Sequence, residues 1–162
     1  MIQEPEKHER VTPSASSLPH AESLGSLVPP EQIEHSRVMA LAAVKAAAEN
    51  RGQDIILLDL TSQTALFDFF VLATGSSRRQ LSAMGFEIDR VLKHELNERR
   101  LSAAGYDESR WIVLDYGSVV VHLFDEETRE FYDLESLWAD GRQIDISSIV
   151  AEASARMSKL AD

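Results

Sequence analysis

The chain has 162 residues, of which 44% are hydrophobic and 27% charged, so it is long and apolar enough for one domain with a buried core. Its formal net charge of −11 argues against non-specific nucleic-acid binding, because such binding depends on lysine and arginine neutralising phosphates. The absence of cysteine excludes disulfides, thiolate metal sites and a cysteine nucleophile, and it is typical of a reducing compartment.

The first 29 residues differ in composition from the rest of the chain. They are rich in Pro, Ser and Glu and poor in large apolar residues, so we predict a disordered N-terminal tail. The segment has no apolar run typical of a secretory signal, and its early glutamates disfavour an organelle transit peptide. No apolar run in the chain reaches the ~18 residues of a membrane span. These features predict a cytoplasmic protein that makes no membrane contact.

The folded domain is predicted to occupy residues 30–140. An Ala-rich first helix begins at Pro30, a residue that suits the first helical turn. Two nearly continuous apolar runs, residues 54–60 and 68–74, predict strands that are covered on both faces. A second helix follows the segment "TGSS". Its predicted buried stripe consists of Leu81, Met84, Ile88, Val91 and Leu92.

The segment "WIVLDYGSVVVHLF", residues 111–124, predicts a β-hairpin, because Gly117 and Ser118 suit a two-residue turn. The following "REFYDLESLW" is expected to begin as a short strand and to become a short helix. Residues 141–162 are expected to form a weak terminal helix or a loose tail. The sequence thus predicts an α/β fold, with helices packed on a mixed β-sheet of about five strands.

A two-residue turn also fixes the hairpin register and therefore the composition of its two faces. One face is apolar or aromatic throughout and is predicted to face the core. The other face combines aromatic, aliphatic and ionisable side chains. Its predicted cross-strand pairs are Trp111 with Phe124, Val113 with His122, and Asp115 with Val120.

Two interpretations of this mixed face remain open from the residues alone. In the first, a helix covers the face, Asp115 accepts hydrogen bonds from the turn, and His122 is an ordinary half-buried histidine. In the second, the face is open and Trp111 anchors a binding partner. Tryptophan is favoured at interface hot spots, and an exposed apolar patch on a monomer is unusual without a partner.

A nucleotide-binding enzyme is the alternative function, because "TGSSRRQ" joins a strand to a helix and such a junction can hold a phosphate. However, Ser77 and Gln80 also form a capping box, which satisfies the helix start without a ligand. Glu87 and Asp89 point to different sides of the helix, so they do not predict a metal site. The five histidines lack metal-ligand spacing. We therefore predict no catalytic activity, no cofactor and no metal.

Several motifs together resemble the ribosomal silencing factor family, also called Iojap-like proteins. These are "DIILLDL", "DFFVLATGSSRRQLSAM", "WIVLDYGSVVVH" and "REFYDLESLW", in the order and at the spacing of the family. The resemblance covers roughly residues 33–138. It implies an α/β fold with a nucleotidyltransferase-like outline but without the catalytic carboxylates. Two positions depart from the family pattern: Ser118 replaces a common aspartate, and Arg110 replaces a glycine that often precedes the tryptophan.

The resemblance also implies a function. Family members bind the large ribosomal subunit through the ribosomal protein uL-fourteen and sterically block joining of the small subunit, which represses translation under nutrient limitation. The family's contact surface corresponds here to Trp111 and Asp115. We add Val113, His122 and Phe124, which share that face in the predicted register. An acidic chain suits a basic ribosomal protein, with little direct nucleic-acid contact. A homodimer through the same aromatic face is a further expectation.

Overall fold

The computed structural model describes residues 28–162. Most of the predicted N-terminal tail, residues 1–27, therefore lies outside the described residues. The described part forms one mixed α/β fold, which confirms the predicted fold class. Its helices and strands in chain order are α1 (Pro30–Glu49), β1 (Gln53–Asp59), β2 (Phe69–Thr74), α2 (Arg78–Leu96), β3 (Ser102–Ala104), β4 (Trp111–Asp115), β5 (Val119–Phe124), α3 (Glu126–Tyr132), α4 (Leu134–Leu137), β6 (Arg142–Ile144) and α5 (Ser147–Ala161).

The six strands form one sheet in the order β3-β4-β5-β2-β1-β6. Strand β2 pairs with β5 in parallel, and the other pairs are antiparallel. The sheet has one strand more than the predicted five or so. Two short strands were not predicted from the residues, namely β3 and β6, which form the two edges. No helix within residues 28–162 is long and apolar enough to cross a bilayer.

Helices α1 and α2 cover one face of the sheet and form the main core with it, and α5 packs on the outside of α1. In α1, small alanines are buried against the sheet, so the helix backbone approaches the strands closely. In α2, four of the five predicted stripe residues are buried, and Val91 is partly buried. The fold therefore places the hairpin β4–β5 beside the central strand β2, with its apolar side in this core.

Helices α3 and α4 lie over part of the opposite face, where a second, smaller core contains Phe70, Leu72, Val120 and Phe124. The segment "REFYDLESLW" was expected to begin as a short strand, but the structure places its first four residues, 129–132, in α3. Asp125 caps this helix, since its side chain accepts a hydrogen bond from the backbone N–H of Thr128 at 2.7 Å. Two glutamates in the first turn further stabilise the helix start.

The C-terminal residues 141–162 were expected to form a weak terminal helix or a loose tail. They form strand β6, which pairs with β1, and helix α5, which packs on α1. Ala153 of α5 is buried, with 2% of its surface exposed. Before the helix, Asp145 accepts a hydrogen bond from the backbone N–H of Ser147, and this bond lowers the pKa of its carboxyl. The folded domain therefore extends beyond residue 140 because β6 and α5 complete the sheet edge and the helical layer.

Candidate functional site

The hairpin has the predicted register at every pair that we named. Trp111 is paired with Phe124, Val113 with His122, and Asp115 with Val120. Along β4, the side chains of Trp111, Val113 and Asp115 are half-buried, whereas the intervening residues are fully buried in the main core. The alternation places one row of three functional candidates on the face opposite to α1 and α2.

The partner strand β5 is buried over its whole length. Phe124 is 0% exposed and His122 is 7% exposed, because α3 and α4 cover this part of the face. Direct contact of these two side chains with a partner, which we had expected, does not agree with their burial. The face is therefore covered at β5 and accessible at β4, so each of the two open interpretations describes one part of it.

Trp111 is held by rings on several sides. Its indole stacks on Phe124, with ring centroids 5.1 Å apart and an interplanar angle of 25°. The ring of Tyr132 from α3 lies 4.7 Å away at 44°. The indole Nε1–H donates a hydrogen bond to Nδ1 of His122 at 3.2 Å. Stacking and the hydrogen bond together orient the indole, which reduces the entropy that binding a partner would otherwise cost.

His122 supports this arrangement as a neutral base. Burial lowers its pKa from 6.5 to about 4, so the imidazole is uncharged at neutral pH. Because Nδ1 accepts from the indole, the proton of the neutral ring is on Nε2. That Nε2 atom is buried and has no hydrogen-bond partner among residues 28–162. His122 thus positions Trp111 from below.

Asp115 has a structural role at the turn. Its Oδ1 accepts a hydrogen bond from the backbone N–H of Gly117 at 2.7 Å, as the first interpretation expected. The carboxylate is nevertheless half-buried and lies at the accessible end of β4. Gly117 itself has a φ of +88°, a conformation that favours glycine and explains its place in the turn.

An open cleft of about 660 Å³ lies beside Trp111, between α3 and the loop that joins β3 to β4. Sequence reasoning did not find this cleft, because the residues of α3 were assigned to a strand. In the helix, Phe131 and Tyr132 are 79% and 52% exposed. We call this feature the Trp111 cleft. Its aromatic and acidic lining residues are Trp111, Phe131, Tyr132, Asp107, Glu108 and Glu127.

Arg129 fixes α3 over the sheet, a role that the sequence did not reveal. Its side chain is 10% exposed and bonds to Glu135 at 2.7 Å. It also donates to the carbonyl oxygen of Asp54 at 2.7 Å and to the hydroxyl of Thr74 at 2.8 Å. The guanidinium therefore links α3 and α4 to strands β1 and β2. The orientation of the residues that α3 contributes to the Trp111 cleft depends on this link.

The alternative phosphate site at "TGSSRRQ" is occupied by the chain's own hydrogen bonds. Ser77 caps α2 by accepting from the backbone N–H of Gln80 at 3.1 Å. The Gln80 side chain accepts from the backbone N–H of Ser76 and donates to the carbonyl oxygens of Asn50 and Arg51. The Ser77 half of the predicted capping box is therefore present, whereas the Gln80 side chain bonds to the N–H of Ser76 and not to that of Ser77 itself. Among the described residues, no group of three or more acidic or histidine side chains could hold a metal.

Comparison with known proteins supports one family. Residues 33–161 match the family model described as "Ribosomal silencing factor during starvation". A ribosomal silencing factor RsfS from Halalkalibacterium halodurans is 30% identical over 110 residues, which cover 67% of this chain and 92% of that protein. The RsfS protein of Bacillus subtilis is 34% identical over 105 residues, which cover 64% of this chain and 87% of that protein.

Relatives are also found outside bacteria. The mouse "Mitochondrial assembly of ribosomal large subunit protein 1" is 33% identical over 59% of this chain, and 42% of its own length is covered. A crystal structure of a Chromobacterium violaceum protein aligns with a TM-score of 0.62 at 32% identity, covering 68% of this chain and 91% of the other. A second crystal structure, of a Bacillus halodurans protein, aligns with a TM-score of 0.60 at 28% identity, covering 68% of this chain and 99% of the other.

Proposed function

This chain belongs to the ribosomal silencing factor family, and from that premise we propose that it binds the large ribosomal subunit and represses translation. In the proposed mechanism, the chain docks on the ribosomal protein uL-fourteen and occupies space that the small subunit needs when the subunits join. Such a block requires affinity and position but no chemistry. Nutrient limitation is the condition under which we expect it to act, and the cytoplasm is the proposed location.

The orientation of Trp111 is the observation that carries this proposal. The indole is half-buried, stacked on Phe124 and hydrogen-bonded to His122, so it is ordered before any partner arrives. Its neighbours Val113 and Asp115 lie on the same accessible row of β4. A preformed aromatic anchor surrounded by polar groups is typical of binding hot spots. We propose Trp111, Val113 and Asp115 as direct contacts, with His122 and Phe124 supporting them from below.

The charge of the chain agrees with a basic ribosomal protein as the partner. The net charge is −11, and opposite potentials accelerate and orient encounter. The same charge disfavours contact with the surrounding ribosomal RNA, so it restricts binding to a protein surface. A role in assembly of the large subunit, which the name of the mouse relative states for that protein, would use the same docking surface.

The test replaces Trp111 with alanine and measures binding to purified large subunits. Removal of a hot-spot tryptophan costs about 2 kcal/mol or more, which corresponds to roughly 30-fold weaker binding. Leu160→Ala is the control, because Leu160 is 87% exposed on the opposite side of the sheet, in α5. Unchanged binding by a folded Trp111→Ala variant would overturn the docking assignment. Light scattering on the same variants tests whether two copies associate through this face.

A further inference from the structure

The Trp111 cleft has the composition of a site for a cationic side chain. One part of its lining is aromatic, formed by Trp111 and by Phe131 and Tyr132 of α3. The rings of Phe131 and Tyr132 meet edge to face, with centroids 5.0 Å apart at 83°. Tyr132 then contacts Trp111 at 4.7 Å. Phe131 and Tyr132 are the most exposed of these rings, so they offer aromatic surface to the open space of the cleft, and aromatic faces attract cations.

The loop that joins β3 to β4 forms one acidic side of the cleft. Gly105 begins it with a φ of +90°, and a Cβ at this position would lie 1.8 Å from the carbonyl oxygen of Trp111. Ser109 ends it with its hydroxyl donating to the carbonyl oxygen of Tyr106 at 2.7 Å and bonded to the hydroxyl of Ser82 at 2.9 Å. These contacts fix the loop against β4 and α2, and so fix its acidic tip at the mouth of the cleft.

The carboxylates around the cleft are not neutralised by the fold. Asp107, Glu108 and Glu127 form no ion pair and accept no side-chain hydrogen bond within residues 28–162. Arg110, the one cation in the lining, is likewise unpaired within that range. Three negative charges and one positive charge leave a net charge of −2 at the mouth. Such a field repels phosphate and carboxylate ligands and attracts a cation.

We propose that the Trp111 cleft binds the guanidinium group of an arginine side chain from the ribosomal partner, an inference that rests on the proposed function. A guanidinium is planar, so it stacks on aromatic faces while its N–H groups donate to carboxylates at the rim. An ammonium group is more strongly hydrated and lacks this planar fork. The cleft therefore makes partner recognition depend on charge as well as on the indole.

The first experiment tests the cleft without the ribosome. The full-length ¹⁵N-labelled protein is titrated with acetyl-Gly-Arg-Gly-amide, and the indole N–H signals of Trp111 and Trp138 are followed by NMR. We expect a saturable shift at Trp111 and none at Trp138, which packs against Phe70 away from the cleft. The citrulline peptide, a neutral analogue of similar shape, should leave both signals in place. An equal shift of the Trp111 signal with the citrulline peptide would overturn the proposal. The corresponding lysine peptide is titrated as well, and an equal shift with it would overturn the preference for a guanidinium group.

The second experiment uses the large subunit and a matched pair of variants. Glu108→Gln combined with Glu127→Gln removes two charges at the cleft. Glu126→Gln combined with Glu130→Gln removes two charges from α3 outside the cleft lining. We expect the first pair to bind large subunits about tenfold more weakly, because it removes two carboxylates that would accept from the guanidinium. We expect the second pair to bind nearly as the unmodified chain does. Equal losses from both pairs would overturn the assignment of the cleft.

The two proposals fail in distinguishable ways. If the unmodified chain does not bind large subunits but the arginine peptide shifts Trp111, the docking proposal fails and the arginine site stands. If Trp111→Ala abolishes binding to large subunits while the cleft variants and the peptide have no effect, the docking proposal stands and the arginine site is wrong.

Discussion

Replacing His122 with phenylalanine should make the fold less sensitive to acid. In the unfolded chain, this imidazole takes up a proton near its ordinary pKa of 6.5, whereas in the folded protein burial lowers the pKa to about 4. Between these values the unfolded state binds a proton that the folded state does not. The free energy of unfolding therefore decreases as the pH falls from 6.5 to about 4, and the contribution of His122 is fully lost only below the folded pKa.

The magnitude follows from the size of the pKa difference. Each pKa unit corresponds to about 1.4 kcal/mol, so the change over the whole window is about 3 kcal/mol. The surroundings of His122 reinforce this value, because its ring contacts the aromatic rings of Phe70, Trp111 and Phe124. Phenylalanine fills the same space without a titrating group, although it removes the acceptor for the Trp111 indole N–H.

Urea denaturation followed by circular dichroism measures this effect. Between about pH 7 and about pH 4.5, the free energy of unfolding of the unmodified chain should fall by about 2 kcal/mol more than that of His122→Phe. His94→Phe is the control for replacing a histidine with an aromatic ring, since His94 is exposed on α2 and lies outside the buried cluster around Trp111. Parallel loss of stability in the unmodified chain and in His122→Phe would refute the reasoning, because it would show that other groups dominate acid unfolding.

Three further substitutions test the structural account, two by the same denaturation assay and one by helical content. Arg129→Ala should lower the free energy of unfolding by about 2 kcal/mol or more, because it leaves the hydrogen-bonding partners of Arg129 unpaired. The exposed Arg156→Ala should lower it by less than about 1 kcal/mol. Equal losses would contradict the linking role of Arg129. Gly105→Ala should cost well over about 1 kcal/mol, since its Cβ would overlap the Trp111 backbone, and an unaffected variant would contradict the loop geometry. Ala153→Asp should detach α5 by burying a charge, while the exposed Ala155→Asp should not; helical content by circular dichroism distinguishes them.

The hairpin could be predicted residue by residue because local rules determine it. A two-residue turn at Gly117 fixes the register, and the period of two then assigns each side chain to a face. The capping of α2 by Ser77 was equally predictable, since the partners are three residues apart. In both cases the deciding interactions lie within one hairpin or one helical turn, so the sequence pattern contains them.

The features that the sequence did not predict depend on distant contacts or on very short elements. Strands β3 and β6 have three residues each, too few for a recognisable pattern. Phe131 and Tyr132 favour strands by propensity, but the cap at Asp125 and the packing on the sheet favour a helix. Arg129 bonds to residues 75 and 55 positions away in the chain. The burial of His122 results from helices α3 and α4 covering that part of the sheet, so it could not be read from the residues near His122 in the sequence.

Cosedimentation through a sucrose gradient tests the central claim most directly. The full chain is mixed first with separated ribosomal subunits and then with both subunits together, at micromolar concentration. The account predicts that the protein travels with the large subunit alone and that it reduces the peak of joined ribosomes. If the protein stays at the top of the gradient in both mixtures and the joined peak is unchanged, the proposed silencing function is wrong for this chain.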